Sequence, residues 1–101
     1  MLYDKRWELD EVGKVLDAAA DYIEGYGWCQ YKLEDGRGRA CLMGALLRVW
    51  SDETIEHRYA VLDRLAGLLG RSVNSIALWN DAPGRTKEEV IAALRGAARF
   101  R

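Results

Sequence analysis

Leu9-Asp10-Glu11-Val12-Gly13-Lys14-Val15-Leu16-Asp17-Ala18-Ala19-Ala20-Asp21-Tyr22-Ile23-Glu24 is the stretch on which the fold turns. Val12, Val15, Leu16, Ala19 and Ile23 recur at helical spacing and form one apolar stripe, with Lys14, Asp17, Asp21 and Glu24 on the wet side. Asp10 or Asp4 is suited to cap its start, and Gly25 or Gly27 to end it. An amphipathic helix of this kind needs other helices or a sheet to cover its stripe.

Downstream, Ala40 to Trp50 is apolar nearly all round apart from Arg48, which predicts a central helix buried on most sides. Gly44 within it costs about 1 kcal/mol relative to alanine, so it marks a close helix–helix approach. Ser51 and Asp52 are placed to cap a third helix with Ile55, Tyr59, Leu62, Ala66 and Leu69 on its buried stripe, ended by Gly70. Ser72 opens a short helix holding Val73, Ile76, Ala77 and Trp79, and residues 80–85 form a turn. Thr86 and Glu89 make a capping box ahead of a last helix whose core face is Val90, Leu94 and Ala97, widened by Ile91 and Ala98. Arg95, Arg99 and Arg101 complement the negative end of that helix.

Between the first two helices the pattern changes. Trp28, Gln30 and Lys32 alternate with Cys29, Tyr31 and Leu33, and Asp35-Gly36 is a strong turn dipeptide, so residues 28–41 read as a short β-hairpin or a structured loop. The sequence therefore predicts a mainly α protein: one compact domain over residues 1–101, with four to five helices and this short ribbon.

Composition narrows the classes of function. A chain of 101 residues fits one domain, and 50 % hydrophobic residues suffice for a core. The formal net charge of −1 gives little attraction to nucleic acid or an anionic membrane. Charge is uneven, however: residues 1–35 sum to −5 and residues 36–101 to +4, which favours docking of an acidic first helix on a basic remainder. No run reaches the 18–20 apolar residues or so that span a bilayer, and no basic head precedes an apolar stretch at the N-terminus. The expected location is the cytoplasm, with no membrane partner.

Candidate chemistry is sparse. Cys29 and Cys41 are the only cysteines, and a hairpin turning on Asp35 sets them opposite each other. They read as two small core residues, a disulfide, or a reactive pair in which Cys41, at a helix start, has its thiol pKa lowered by the helix dipole. Their spacing lacks a short zinc clip, and His57, the one histidine, lies away from the apolar stripe of its helix and is expected at the surface. A Cys41–His57–Asp81 triad has no supporting spacing. No phosphate-cradle, dinucleotide, zinc-protease or calcium-loop motif is present, so no cofactor or metal is expected. Gly36-Arg37-Gly38-Arg39 reads as a soluble turn, though Arg37, Arg39 and Arg85 could hold a small anion or nucleotide. Four Trp and five Tyr are many for this length. Trp28, Trp50 and Trp79 read as core anchors, whereas Trp7, Tyr26 and Tyr31 are expected to be partly exposed and available for binding.

Ala18-Ala19-Ala20-Asp21-Tyr22-Ile23-Glu24, Gly27-Trp28-Cys29-Gln30, Cys41-Leu42-Met43-Gly44-Ala45-Leu46, and Trp79-Asn80-Asp81 followed by Arg85-Thr86 and Glu89-Val90 resemble a family of small actinobacterial and actinophage proteins with no assigned function. The resemblance runs from about residue 9 to residue 98 and is most specific in the W-N-D-x-x-x-R-T spacing. It implies a helical fold and a bacterial or phage-infected cytoplasm, and no activity. In that spacing Asp81 is expected to act as a structural clasp, accepting hydrogen bonds from the Thr86 region or pairing with Arg85, while Trp79 seats the turn. The reading that follows is a non-enzymatic interaction module that binds a host protein or itself. The alternatives are a cysteine-dependent enzyme or redox protein using Cys41 with Cys29, and a small-anion-sequestering protein.

Overall fold

Residues 9–50 and 54–100 are described by a computed structural model. Asp10 caps helix α1 (Glu11–Tyr26), its carboxylate accepting the Gly13 amide at 2.8 Å. Gly27, at φ 105°, ends the helix in a conformation that glycine adopts without strain. Of the predicted stripe, Val15, Leu16, Ala19 and Ile23 enter the core and Val12 packs half-buried against it, whereas Asp17, expected on the wet side, is buried where α5 covers it. Full burial of Leu16 or Ile23 contributes about 1.5–3 kcal/mol each.

Helix α1 packs on α2 (Leu42–Val49), α3 (Ile55–Leu69) and, most extensively, α5 (Lys87–Arg99). The all-round apolar segment is therefore not the centre of the fold. Helix α2 is short, packs on α1 and α4, and leaves Leu47 and Arg48 exposed. The tight helix–helix approach falls at Gly13 on α1, where a Cβ would lie 2.4 Å from the Ala98 carbonyl oxygen of α5. At Gly44 a Cβ would lie 2.1 Å from the carbonyl oxygen of Leu33, so that glycine admits loop backbone and not a helix.

The charge asymmetry of the sequence is used at the α1–α5 seam. Arg95 donates to Asp17 and Asp21, both at 2.9 Å, and to Glu24 at 3.3 Å, while Arg99 donates to Asp17 at 3.2 Å. These arginines bridge to α1 as well as standing in the last turns of α5. The Thr86–Glu89 capping box forms as expected, and Val90, Leu94, Ala97 and Ala98 are buried.

Helix α3 departs from its predicted stripe. Thr54 caps it, accepting the His57 amide at 3.1 Å. Val61, Leu65 and Ala66 are its buried residues, whereas Ile55 and Tyr59 stand in water at 68 % and 59 % exposure. Helix α3 packs on α5, α1 and the 3-10 turn that follows it, and its buried residues all lie beyond its first turn. Ser51 and Asp52 lie outside the described residues, as do Asp4, Trp7 and Arg101. A 3-10 turn (Val73–Ser75) leads into the short helix α4 (Ile76–Asn80).

Of the two readings for residues 28–41, the hairpin does not form, and the segment folds as a structured, pinned loop. Ala40, fully buried, is the centre of a ladder one residue wide. It bridges Trp28 in parallel, with Ala40 N–H donating to Gly27 O and Cys29 N–H to Ala40 O. It bridges Glu34 antiparallel on its other side, through Asp35 N–H to Arg39 O and Cys41 N–H to Leu33 O. A two-stranded ribbon is marginal on its own, whereas this loop is folded inward onto α2 and α4.

Candidate functional site

The loop is held by the residues that close α4. Asn80 is 1 % exposed, and its side-chain carbonyl accepts the Trp28 indole N–H at 2.7 Å and the Leu42 amide at 3.1 Å. Its side-chain amide donates to Cys29 O at 3.3 Å and to Asp81 Oδ1 at 2.9 Å. Gln30 returns the contact, donating from Nε2 to the carbonyls of Asn80 and Ala82, both at 3.0 Å. Asp81 Oδ1 also accepts the Tyr31 amide at 3.0 Å. That bond holds Tyr31 at φ 69°, a left-handed conformation uncommon for a bulky residue, with its ring 73 % exposed.

Asp81 thus clasps the loop, and not the Thr86 region or Arg85 as expected from the sequence. Arg85 instead donates from Nε to the Trp79 carbonyl at 2.9 Å, pairs with Glu89 at 3.1 Å, and stacks 3.9 Å over the Trp79 ring. Asn80 and Gln30, the central donors and acceptors, were not singled out in the sequence. The available signal was a polar residue ending a short apolar helix, opposite a Trp and a Gln with polar atoms to satisfy.

A cavity of about 220 Å³ opens between the loop, α2 and α4, lined by Tyr31, Leu33, Cys41, Met43, Ala77 and Asp81 among others. Cys41 is the N-cap of α2, and its sulfur accepts the Gly44 amide at 3.3 Å. Burial pushes its thiol above the ordinary value despite that hydrogen bond, so the lowering expected from the helix start does not prevail. Cys29 is half-buried, its thiol donating to Lys32 O at 3.4 Å and Arg39 O at 3.6 Å. Burial, and then the nearby Cys41, push it up as well. Both cysteines are free thiols. His57 sits half-buried in the first turn of α3 and is not among the residues lining this cavity.

The other candidate residues are scattered. Tyr26 is 65 % exposed and stacks on Tyr22 at 4.7 Å. The Asp35 carboxylate gathers the Gly36-Arg37-Gly38-Arg39 turn by accepting the amides of Arg37 at 2.9 Å and Arg39 at 3.2 Å, together with the Arg39 guanidinium. Those bonds, the Arg37 amide first, hold its carboxyl below the usual range. Arg39 and Arg85 are each engaged with acceptors of the chain itself, on separate elements. Trp50 is buried, Trp28 and Trp79 are half-buried, and Trp7 lies outside the described residues. A second depression, of about 330 Å³, is lined by Trp50, Ile55, Tyr59, Leu62 and Val73 with Arg58 and Asn74. Among the described residues no cluster of His, Cys, Asp and Glu is placed to hold a metal ion, and no helix is long and apolar enough to cross a membrane.

Residues 8–100 match the family of unknown function DUF6197. The chain belongs to that family. The match takes in the whole clasp, from Trp28 to Glu89, together with all five helices. No curated protein and no solved structure matches the chain.

Proposed function

We propose that this member of the DUF6197 family is a non-enzymatic interaction module that binds a partner protein, or a second copy of itself, through the face formed by the clasped loop, α2 and α4. The carrying observation is where large apolar side chains are left in water. Tyr31, Leu33, Met43 and Ala77 share the walls of one depression, and Trp50, Ile55, Tyr59 and Val73 those of the other. Met43 on α2 lines the first depression and Trp50, the C-cap of α2, lines the second, with Leu47 exposed one turn beyond Met43. Tyr31, Leu33, Leu47, Ile55, Tyr59 and Leu78 are all more than 40 % exposed. Apolar surface gathered in this way marks association sites, and aromatic residues dominate their energetics.

The strained Tyr31 supports the same reading, since backbone strain concentrates where a side chain is held for use. Arg39 pairs with Asp35 in the loop and Arg85 with Glu89 at the start of α5, which speaks against a convergent anion site. A bacterial or phage-infected cytoplasm, with a host protein as partner, fits the resemblance.

Light scattering over a concentration series, combined with affinity capture from a bacterial lysate, tests the proposal. Tyr31→Gly with Leu78→Glu is expected to abolish self-association or capture, while Glu88→Lys on α5 leaves it intact. A strict monomer that retains the same proteins with and without the Tyr31 and Leu78 changes would overturn it.

A further inference from the structure

Independently of that face, we propose that Cys29 and Cys41 form a dithiol site that closes to an intramolecular disulfide by exchange with a low-molecular-weight disulfide. The argument is one of register. Trp28 and Ala40 bridge in parallel, with Ala40 N–H on Gly27 O at 3.2 Å and Cys29 N–H on Ala40 O at 3.1 Å. The next residue on each segment is a cysteine, and Cys41 is still extended, at φ −77° and ψ 175°. Neighbouring strands lie about 4.8 Å apart, and in-register residues project to the same face. That spacing falls inside the range of roughly 4.4–6.8 Å between Cα atoms that a disulfide spans without backbone movement. The Cys29 sulfur already lies beside the Arg39 carbonyl, on the segment leading to Cys41.

Cys29 is the more accessible of the two and attacks first. Its thiol loses a proton to solvent, and the thiolate displaces one thiolate from the small disulfide, leaving a mixed disulfide on Cys29. Cys41, deprotonated in turn, attacks the Cys29 sulfur and expels the second thiolate. The balance is two protein thiols plus one small disulfide giving one protein disulfide plus two small thiols. The bond draws the Cys41 sulfur away from Gly44 N–H, but Asn80 Oδ1 remains on the Leu42 amide, so the start of α2 keeps a cap. Closure ties the two ends of the loop that carries Tyr31 and Leu33, and changes the wall of the cavity beside them.

The full chain is equilibrated with reduced and oxidised glutathione, folded and in concentrated urea, and examined by intact mass and peptide mapping. The folded monomer is expected to lose two hydrogens and to yield a Cys29–Cys41 linked peptide. Its equilibrium constant should exceed that in urea by at least about tenfold, because the fold holds the sulfurs together. Cys41→Ser is expected to stop at a mixed disulfide on Cys29. Two unreacted thiols, glutathione on both cysteines, disulfide-linked dimers, or equal constants in the folded and unfolded chain would each overturn the proposal.

Discussion

The side-chain carbonyl of Asn80 accepts the indole N–H of Trp28 at 2.7 Å, across 52 positions of sequence. The same oxygen caps the first amide of α2, so one buried atom fixes the loop, α2 and α4 relative to each other. α2 needs this help: its own N-cap is a thiol, a weak acceptor.

Asn80→Ala leaves the Trp28 indole, the Leu42 amide and the Cys29 carbonyl without their partner in a buried setting. A buried polar group stripped of its partner costs about 1–3 kcal/mol. The expected loss is at least about 3 kcal/mol in urea unfolding, larger than for Gln30→Ala, which frees two carbonyls but leaves no backbone amide or indole N–H unpaired.

Glycine substitutions in the helices separate propensity from space. Gly25 on α1 has open space around its would-be Cβ, so Gly25→Ala is expected to be neutral or to stabilise by up to about 1 kcal/mol. Gly44→Ala gains the same propensity but drives a methyl into the Leu33 carbonyl. A net loss of about 1–3 kcal/mol is expected, with displacement of the loop visible in amide chemical shifts of residues 31–35.

Arg95 offers a comparison within one ion cluster. Its partner Asp17 is 2 % exposed and its partner Asp21 is 44 % exposed. Asp17→Ala removes a buried carboxylate and is expected to cost about 3 kcal/mol or more. Asp21→Ala breaks a pair open to solvent and is expected to cost less than about 1 kcal/mol. Denaturant midpoints of the two variants check the contrast.

Acid is expected to loosen the two capped turns. Asp35 is held below its ordinary pKa first by the Arg37 amide, and Glu89 first by the Thr86 amide. A carboxylate whose folded pKa is depressed contributes stability that is fully present above its unfolded value, about 3.9 for Asp and 4.3 for Glu. That contribution is lost as pH falls through the folded value. The urea midpoint is expected to be flat from about pH 5 to 7 and to fall below about pH 4. Asp35→Asn with Glu89→Gln should make the decline shallower.

Tyr31 pays for its conformation with strain of about 1–2 kcal/mol. Tyr31→Gly removes that strain and adds chain entropy of similar size, so its unfolding midpoint is expected to stay close to that of the parent protein. Tyr31→Val, branched at Cβ, is expected to be clearly less stable than either. Thermal unfolding of the three proteins checks the order.

Much of the fold was legible in the residues because it rests on interactions within a few positions. The Asp10 cap, the Gly27 stop, the α1 stripe and the Thr86–Glu89 capping box are satisfied inside one or two helical turns, and neighbours along the chain are enough to specify them. The α3 stripe was misplaced because the helix carries apolar residues on more than one face, and packing buried Val61 and Leu65, which lie beside the predicted stripe and not on it. Ile55 and Tyr59, on that stripe, stay exposed.

The candidate site was another matter. Asp35-Gly36 is a sound turn signal, but whether the chain pairs across that turn depends on what else competes for its backbone. Here Ala40 bridges Trp28 on one side and Glu34 on the other, Gln30 donates out of the loop to the Asn80 and Ala82 carbonyls, and Asn80 and Asp81 take up polar groups of the loop. Local sequence determined where the helices lie, the ends of α1 and the start of α5, because those free energies are set by near neighbours. Only tertiary structure decided the partner of Gly44, the burial of Asn80, the left-handed Tyr31 and the parallel bridge of Trp28 to Ala40. Each of those arises where a packed surface chooses among several conformations that the local chain permits about equally.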